Sequence, residues 1–280
     1  MQKKVLFFDI DNTILSRQNE IPESTFRAFE KLHENGHLVF INTGRSRAYV
    51  QDPTLLSLGF DGFITGCGTM IEYQGKIIKD VILDVDLVEH TVNTFRRYGI
   101  RPILEGKDYL YFDESEFGTD PYGMKLKREL GERRLTIEHE WRKWNVYKYA
   151  CDTTGTDREL CFKELEQYYD FMIHNERVVE VVPKGCHKGT GILETCRYLE
   201  VDVRDTFAFG DSANDIGMLE TAGTAVVMGN GSEAAKKHAD YVTTELLKDG
   251  IWNACKHFQL IYLIIRNKKF QHFQIVLDTY

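Results

Sequence analysis

Asp9 and Asp11 stand one residue apart at the end of an apolar run, VLFFDIDNTIL over residues 5–15. Paired carboxylates can hold a hard cation, attack an electrophile or carry a proton. Far down the chain, FAFGDSANDIGML ends a second apolar run in Gly210, then sets Asp211, Asn214 and Asp215 within five residues. Between them lie INTGR, with Thr43 and Gly44, and KGCHKGTG, centred on Lys188. Each segment also has a plain structural reading. DIDNT matches part of an EF-hand loop, but Ile14 occupies the position that needs Gly, so that reading fails. A Thr before a helix is commonly an N-cap, and Asp211 or Ser212 could cap the helix that follows. A Lys at a helix start is usually solvated, although the helix dipole disfavours it there.

Together the segments say more. Asp9, Asp11, Asp211 and Asp215 are expected to crowd four carboxylates near one point. Unit charges about 4 Å apart repel by roughly 4 kcal/mol at an effective dielectric near 20. A cation is therefore expected, and Mg²⁺ suits hard oxygen ligands with room for water and phosphate. Thr43, the backbone amide of Gly44, Lys188 and Asn214 are donors fit for phosphate oxygens. The chemistry these parts spell is phosphoryl transfer.

The elements that must position them follow from periodicity. Val5–Phe8 reads as a strand buried on both faces, as in a parallel sheet. Residues i and i+2 of a strand share a side, so Asp9 and Asp11 are expected to emerge together, with Ile10 turned away. IPESTFRAFEKLHENG reads as a helix opened by Pro22 and stopped by Gly36, and HLVFINTG as a second buried strand. A short helix around SRAYVQD is expected to close at Pro53, and DGFITGCGTMIEYQGKII to form a strand and hairpin turning at Gln74-Gly75. From about Asp84 the pattern changes to an α+β unit with an irregular middle, ending near Pro183; β-α units then return. The expected fold is thus α/β, a parallel-sheet core split over 1–82 and 184–260 with an inserted α+β domain at 83–183. Residues 261–280 are surplus to that pattern.

The composition narrows the partners. A 280-residue chain with 42% hydrophobic and 28% charged residues can bury a real core and is ordinary for a globular protein. A formal charge of −8 argues against nucleic acid as partner. No apolar stretch reaches the roughly 18 residues that a membrane span needs. Six cysteines without a C-x-x-C pair read as reduced thiols, and motif-bearing sequence near residue 1 argues against a cleaved leader, so the expected location is cytoplasmic.

In order, DIDNT, TGR, Lys188 and GDSANDIGM resemble the four motifs of the haloacid dehalogenase superfamily. The insert between the second and third motifs, with MGNGSEAAKKHADYVT downstream, is similar to Cof-type phosphatases with an α/β cap on a Rossmann-like core. The resemblance covers about residues 1–258 and departs at TGCGTMI, where Cys67-Gly68 stands in place of Asn-Gly. It implies that Asp9 is the nucleophile forming an aspartyl-phosphate, and that Asp11 is the acid and base. It further implies that Asp9, the Asp11 carbonyl, Asp211 and Asp215 hold Mg²⁺, and that Thr43, Gly44, Lys188 and Asn214 hold the phosphoryl group. The expected partner is a small-molecule phosphate ester. Two other readings stay open: a phosphomutase of the same superfamily, and a non-catalytic phospho-accepting protein.

Overall fold

Val5, Leu6, Phe7 and Phe8 are completely buried, as a strand with a parallel neighbour on each side must be. The neighbours are Leu38–Ile41 and Thr206–Phe209, in register Phe8 with Ile41 and Phe8 with Phe209. The computed structural model describes residues 3–118, 120–265 and 274–276. They form two compact units, the described residues of 1–41, 53–62 and 199–280 in the first and those of 42–52 and 63–198 in the second.

In the first unit the parallel strands run in the order Tyr241–Val242, Thr224–Val227, Thr206–Gly210, Val5–Phe8 and Leu38–Asn42. Helix Glu23–Glu34 follows Pro22, whose fixed φ and missing N–H suit a helix start, and ends before Gly36 at φ +79°. It buries Ala28, Phe29 and Leu32 and packs against helix Gly250–His257, with the Arg27 guanidinium 4.5 Å from the Trp252 ring centroid. Phe8 stacks on Phe209 at 4.4 Å and meets Phe29 at 4.9 Å. Each such buried side chain contributes about 1.5–3 kcal/mol. The two strand ends that lead into Asp9 and Asp211 are therefore fixed to each other by aromatic packing. Strands Leu263–Ile265 and Gln274–Val276 pair antiparallel. The rest of the surplus segment, 266–273 and 277–280, lies outside the described residues.

The second unit contains the expected hairpin, Met70–Tyr73 with Lys76–Asp80, turning through Gln74 and Gly75, both at positive φ. It also holds a six-stranded sheet, ordered Tyr169–Ile173, Val178–Pro183, Lys148–Asp152, Arg101–Glu105, Leu110–Tyr111 and Arg134–Leu135. Strand alternation sorts its side chains. Leu104, Tyr149, Cys151, Val179 and Val181 face helices Val85–Arg97 and Arg158–Leu165 in one apolar core. Ile103 and Ala150 face the other way, toward Ala48, Phe112 and Phe117. The period of two sends Glu105, Lys148 and Glu180 to this second face. The 83–183 insert read from the sequence lies within this unit.

Two local expectations need correction. Pro53 does not close the helix around SRAYVQD; a 3-10 turn forms at Arg47–Tyr49, and Pro53 opens the next helix, Pro53–Leu56. A ring that fixes φ and lacks a donor suits the first turn of a helix better than its end. The irregular middle also contains helices Glu114–Phe117 and Pro121–Leu130.

Candidate active site

In the first unit, the end of the Val5–Phe8 strand delivers Asp9, whose N–H bonds the Phe209 carbonyl at 2.9 Å. One strand over, Gly210 leads into Asp211. Asp9, Asp211 and Asp215 are all buried, and one oxygen from each lies within 4.8 Å of the others. Asp215 reaches this place through a tight turn. Its Oδ2 accepts the N–H of Asp211 at 2.8 Å and of Ser212 at 3.0 Å, the return half of a capping box on the 3-10 turn Ala213–Asp215. Gly210 is required beneath it, because a Cβ there would stand 2.7 Å from Asp215 Cβ and Cγ. Asn214 Oδ1 accepts from the Ser212 hydroxyl at 2.6 Å, which leaves its amide donors for other partners.

Asp11 departs from the expectation. The strand ends at Phe8, and the N–H groups of Ile14 and Leu15 both bond the Ile10 carbonyl. The chain is turning by residue 11, so the i, i+2 rule no longer applies. Asp11 is exposed, and its carboxylate is not part of the buried group; the cluster has three carboxylates rather than four. Asn12, at φ +55°, lies in this turn, and its carbonyl accepts from Asn230 Nδ2 at 2.9 Å. Asn230 Oδ1 in turn accepts the Leu246 N–H at 2.8 Å. Asn230 thus braces the Asp11 turn, a role that MGNG alone did not announce. A cleft of about 250 Å³ opens beside Asp211, lined also by Asn12, Arg17, Asn230 and Glu245.

The second unit carries Thr43, Gly44 and Lys188. Thr43 caps no helix; its hydroxyl accepts the Arg45 N–H at 3.2 Å, holding the loop after the strand. Lys188 begins helix Lys188–Leu199 and is only 2% exposed, so it is not a solvated side chain. Asn42 Nδ2 donates to its carbonyl at 3.0 Å. The helix start is completed by His187, whose Nδ1 accepts the N–H of Gly189 and Thr190.

Beside Gly44 stands a group that the motifs at the strand ends do not announce. Lys148 Nζ, 1% exposed, donates to the Gly44 carbonyl at 2.9 Å and lies 3.2 Å from Glu180 Oε2 and 3.6 Å from Glu105 Oε1. Burial works against the Lys148 charge, but Glu105 and Glu180 outweigh it and hold the ammonium well above its ordinary pKa. Burial likewise disfavours the Glu180 carboxylate, yet Lys148, His174 and Cys67 hold it well below the usual range. Cys67 sits at φ +56°, a left-handed position where Asn is among the tolerated residues. Burial pushes its thiol well up, so it stays protonated and donates to Glu180 Oε2 at 3.2 Å. The sequence signal was a charge set among apolar neighbours, Lys148 in NVYKYA, Glu180 in VVEVVP and Glu105 in PILEG.

The family model of haloacid dehalogenase-like hydrolases matches residues 6–255. The chain belongs to that family. Among its haloacid dehalogenase-like relatives is "Putative phosphatase YkrA" of Bacillus subtilis (strain 168), 32% identical over 273 residues, covering 93% of this chain and 100% of the relative. A second relative from that organism is 5-amino-6-(5-phospho-D-ribitylamino)uracil phosphatase YitU, 27% identical, covering 91% and 97%. Among solved structures, the HAD subclass IIB sugar phosphatase BT4131 superposes with a TM-score of 0.75 at 29% identity, over 92% of this chain and 100% of its own. The α/β class and the haloacid dehalogenase resemblance read from the motifs are thus correct, as is the enzyme class, a phosphoric monoester hydrolase. No helix among the described residues is long and apolar enough to cross a membrane.

Proposed function

We propose that this haloacid dehalogenase-like hydrolase is a Mg²⁺-dependent phosphatase that hydrolyses a small-molecule phosphate monoester through an aspartyl-phosphate on Asp9. The observation that carries the reading is the buried triad of Asp9, Asp211 and Asp215 at the ends of two adjacent parallel strands. Three buried carboxylates that close fit a hard divalent cation, held by Asp9, the Asp11 carbonyl, Asp211 and Asp215. When bound, Mg²⁺ supplies positive charge that offsets the phosphoryl oxygens and the carboxylates.

Asp9 attacks phosphorus in line and the leaving oxygen departs. Asp11, exposed and outside the triad, protonates that oxygen and then takes a proton from the water that cleaves the acyl-phosphate. Thr43, the Gly44 amide, Lys188 and Asn214 hold the transferring group and offset its charge. Residues 83–183 form a cap that excludes bulk water and selects the leaving group, on a core of 1–82 and 184–260. The substrate is a sugar phosphate or a phosphorylated cofactor, in keeping with the relatives named for a sugar and a ribityl phosphate. The six buried cysteines suit a reducing, cytoplasmic location.

A screen of phosphate esters with Mg²⁺ and with EDTA tests the proposal: release of free phosphate that EDTA abolishes supports it. Phosphate passed to a sugar from a bisphosphorylated sugar, without net release, indicates the mutase. A long-lived aspartyl-phosphate without turnover indicates the phospho-accepting protein.

A further inference from the structure

Glu180 stands against the backbone of the loop assigned to phosphate. A Cβ on Gly44 would come 2.9 Å from Glu180 Oε2 and 3.0 Å from Oε1, so only glycine lets the carboxylate lie there. A carboxylate beside a phosphate-binding loop repels the substrate, and this one shares the Lys148 charge with a second carboxylate. Glu105, itself buried, already faces Lys148 as a counter-charge.

Its lone pairs can be accounted for. Glu180 Oε2 faces both Lys148 Nζ and the Cys67 thiol at 3.2 Å. Oε1 faces His174 Nε2 at 3.4 Å. A carboxylate offers about four acceptor sites, so among the described residues Oε1 keeps one more. The side chains of Glu180 and His174 are 16% and 30% exposed, against 1% for Lys148, so the group is open at its Glu180–His174 end.

We infer that Glu180, oriented by His174, is a specificity-determining residue that accepts a hydrogen bond from a hydroxyl of the leaving group, selecting polyhydroxylated phosphates. The inference rests on the phosphatase reading above. Lys148 plays a different part, anchoring the Gly44 carbonyl and holding Glu180 ionised and in place. A leaving group without hydroxyls meets a desolvated carboxylate and gains nothing from it.

The test compares ribitol 5-phosphate with n-pentyl phosphate, which share a five-carbon alkoxide leaving group but differ in hydroxyls, for wild type, Glu180→Gln and His174→Gln. A hydrogen bond to a charged group is worth about 1.5–3 kcal/mol. Wild type is expected to prefer the polyol ester. Glu180→Gln is expected to lose about tenfold or more in kcat/KM on it, mainly through KM, with pentyl phosphate changed less than about twofold. His174→Gln, at a partly exposed position, is expected to shift in the same sense by less. Equal losses on both esters would overturn the inference and make Glu180 a structural counter-charge. A wild-type chain that hydrolyses both esters without preference also overturns it, leaving the phosphatase reading intact. One that hydrolyses neither, in the broad screen as well, overturns that reading and the inference with it.

Discussion

Asp215 Oδ2 accepts the backbone N–H of Asp211 at 2.8 Å, so one carboxylate of the buried triad holds the other's main chain in place. The same oxygen takes the Ser212 N–H at 3.0 Å. Asp215 therefore does two things, shaping the turn with one oxygen and adding charge to the triad.

Asp215→Asn separates the two. An amide oxygen can still accept both N–H groups, so the fold should persist, while the lost charge weakens the cation site. The expected outcome is a Mg²⁺ concentration for half-activation raised about tenfold or more, and a smaller Mg²⁺-induced rise in Tm. Unchanged Mg²⁺ dependence of both would make Asp215 a loop residue alone.

Gly210→Ala tests the packing under that turn. The new methyl meets Asp215 at 2.7 Å. Overpacking of this kind costs about 1–3 kcal/mol, measured by chemical denaturation, and should also lower activity by displacing Asp215. A neutral variant would show that the turn can yield.

Much of this site was legible in the sequence because its residues sit where strands end. The apolar runs before Asp9 and Asp211 read as buried strands, and they place both acids at neighbouring carboxyl ends. Asp11 was misread because periodicity says what side a strand residue faces but not where the strand stops. Helices Glu114–Phe117 and Pro121–Leu130 were missed because Gly118, Gly123 and Gly131 interrupt a charged stretch with little apolar period. Lys148 and Glu180 are a different case. Each is a charge set among apolar and aromatic neighbours, legible as odd, yet their meeting depends on the register of antiparallel strands far apart in the chain.

Acid should weaken the fold through Glu180. Lys148, His174 and Cys67 overcome burial and hold its carboxyl far below the usual 4.5, so the folded chain binds fewer protons there than the unfolded one. That contribution is complete above pH 4.5 and is lost as pH falls below it. Glu105 opposes it, since burial outweighs Lys148 and raises its pKa; its contribution is present below 4.5 and fades as pH rises. Denaturation between pH 6 and pH 3 should show stability falling with acid in wild type and falling less in Glu180→Gln. Parallel profiles would contradict the assignment.

Asp11 and Lys188 should differ by leaving group. Asp11 donates to the departing oxygen, so Asp11→Asn should cost about 10²-fold or more on a sugar phosphate. On an aryl phosphate, whose phenolate leaves unaided, it should release a burst of phenol and then stall. Lys188→Ala should depress both esters by similar factors without a burst, because its charge faces the phosphoryl group in each step. Stopped-flow phenol release with steady-state rates decides this. Equal losses for Asp11→Asn on both esters, with no burst, would contradict its role as proton carrier.

The central claim is the covalent step at Asp9, and borohydride trapping tests it most directly. The Asp11→Asn chain is mixed with aryl phosphate and Mg²⁺, quenched during the burst with sodium borohydride, and its peptides are read by tandem mass spectrometry. An acyl-phosphate is reduced where a free carboxylate is not, so the account predicts homoserine at position 9. It should form only with substrate and be absent when Asp9 is Asn. An intact Asp9 under conditions where phenol is released, or reduction at another aspartate, would contradict the mechanism.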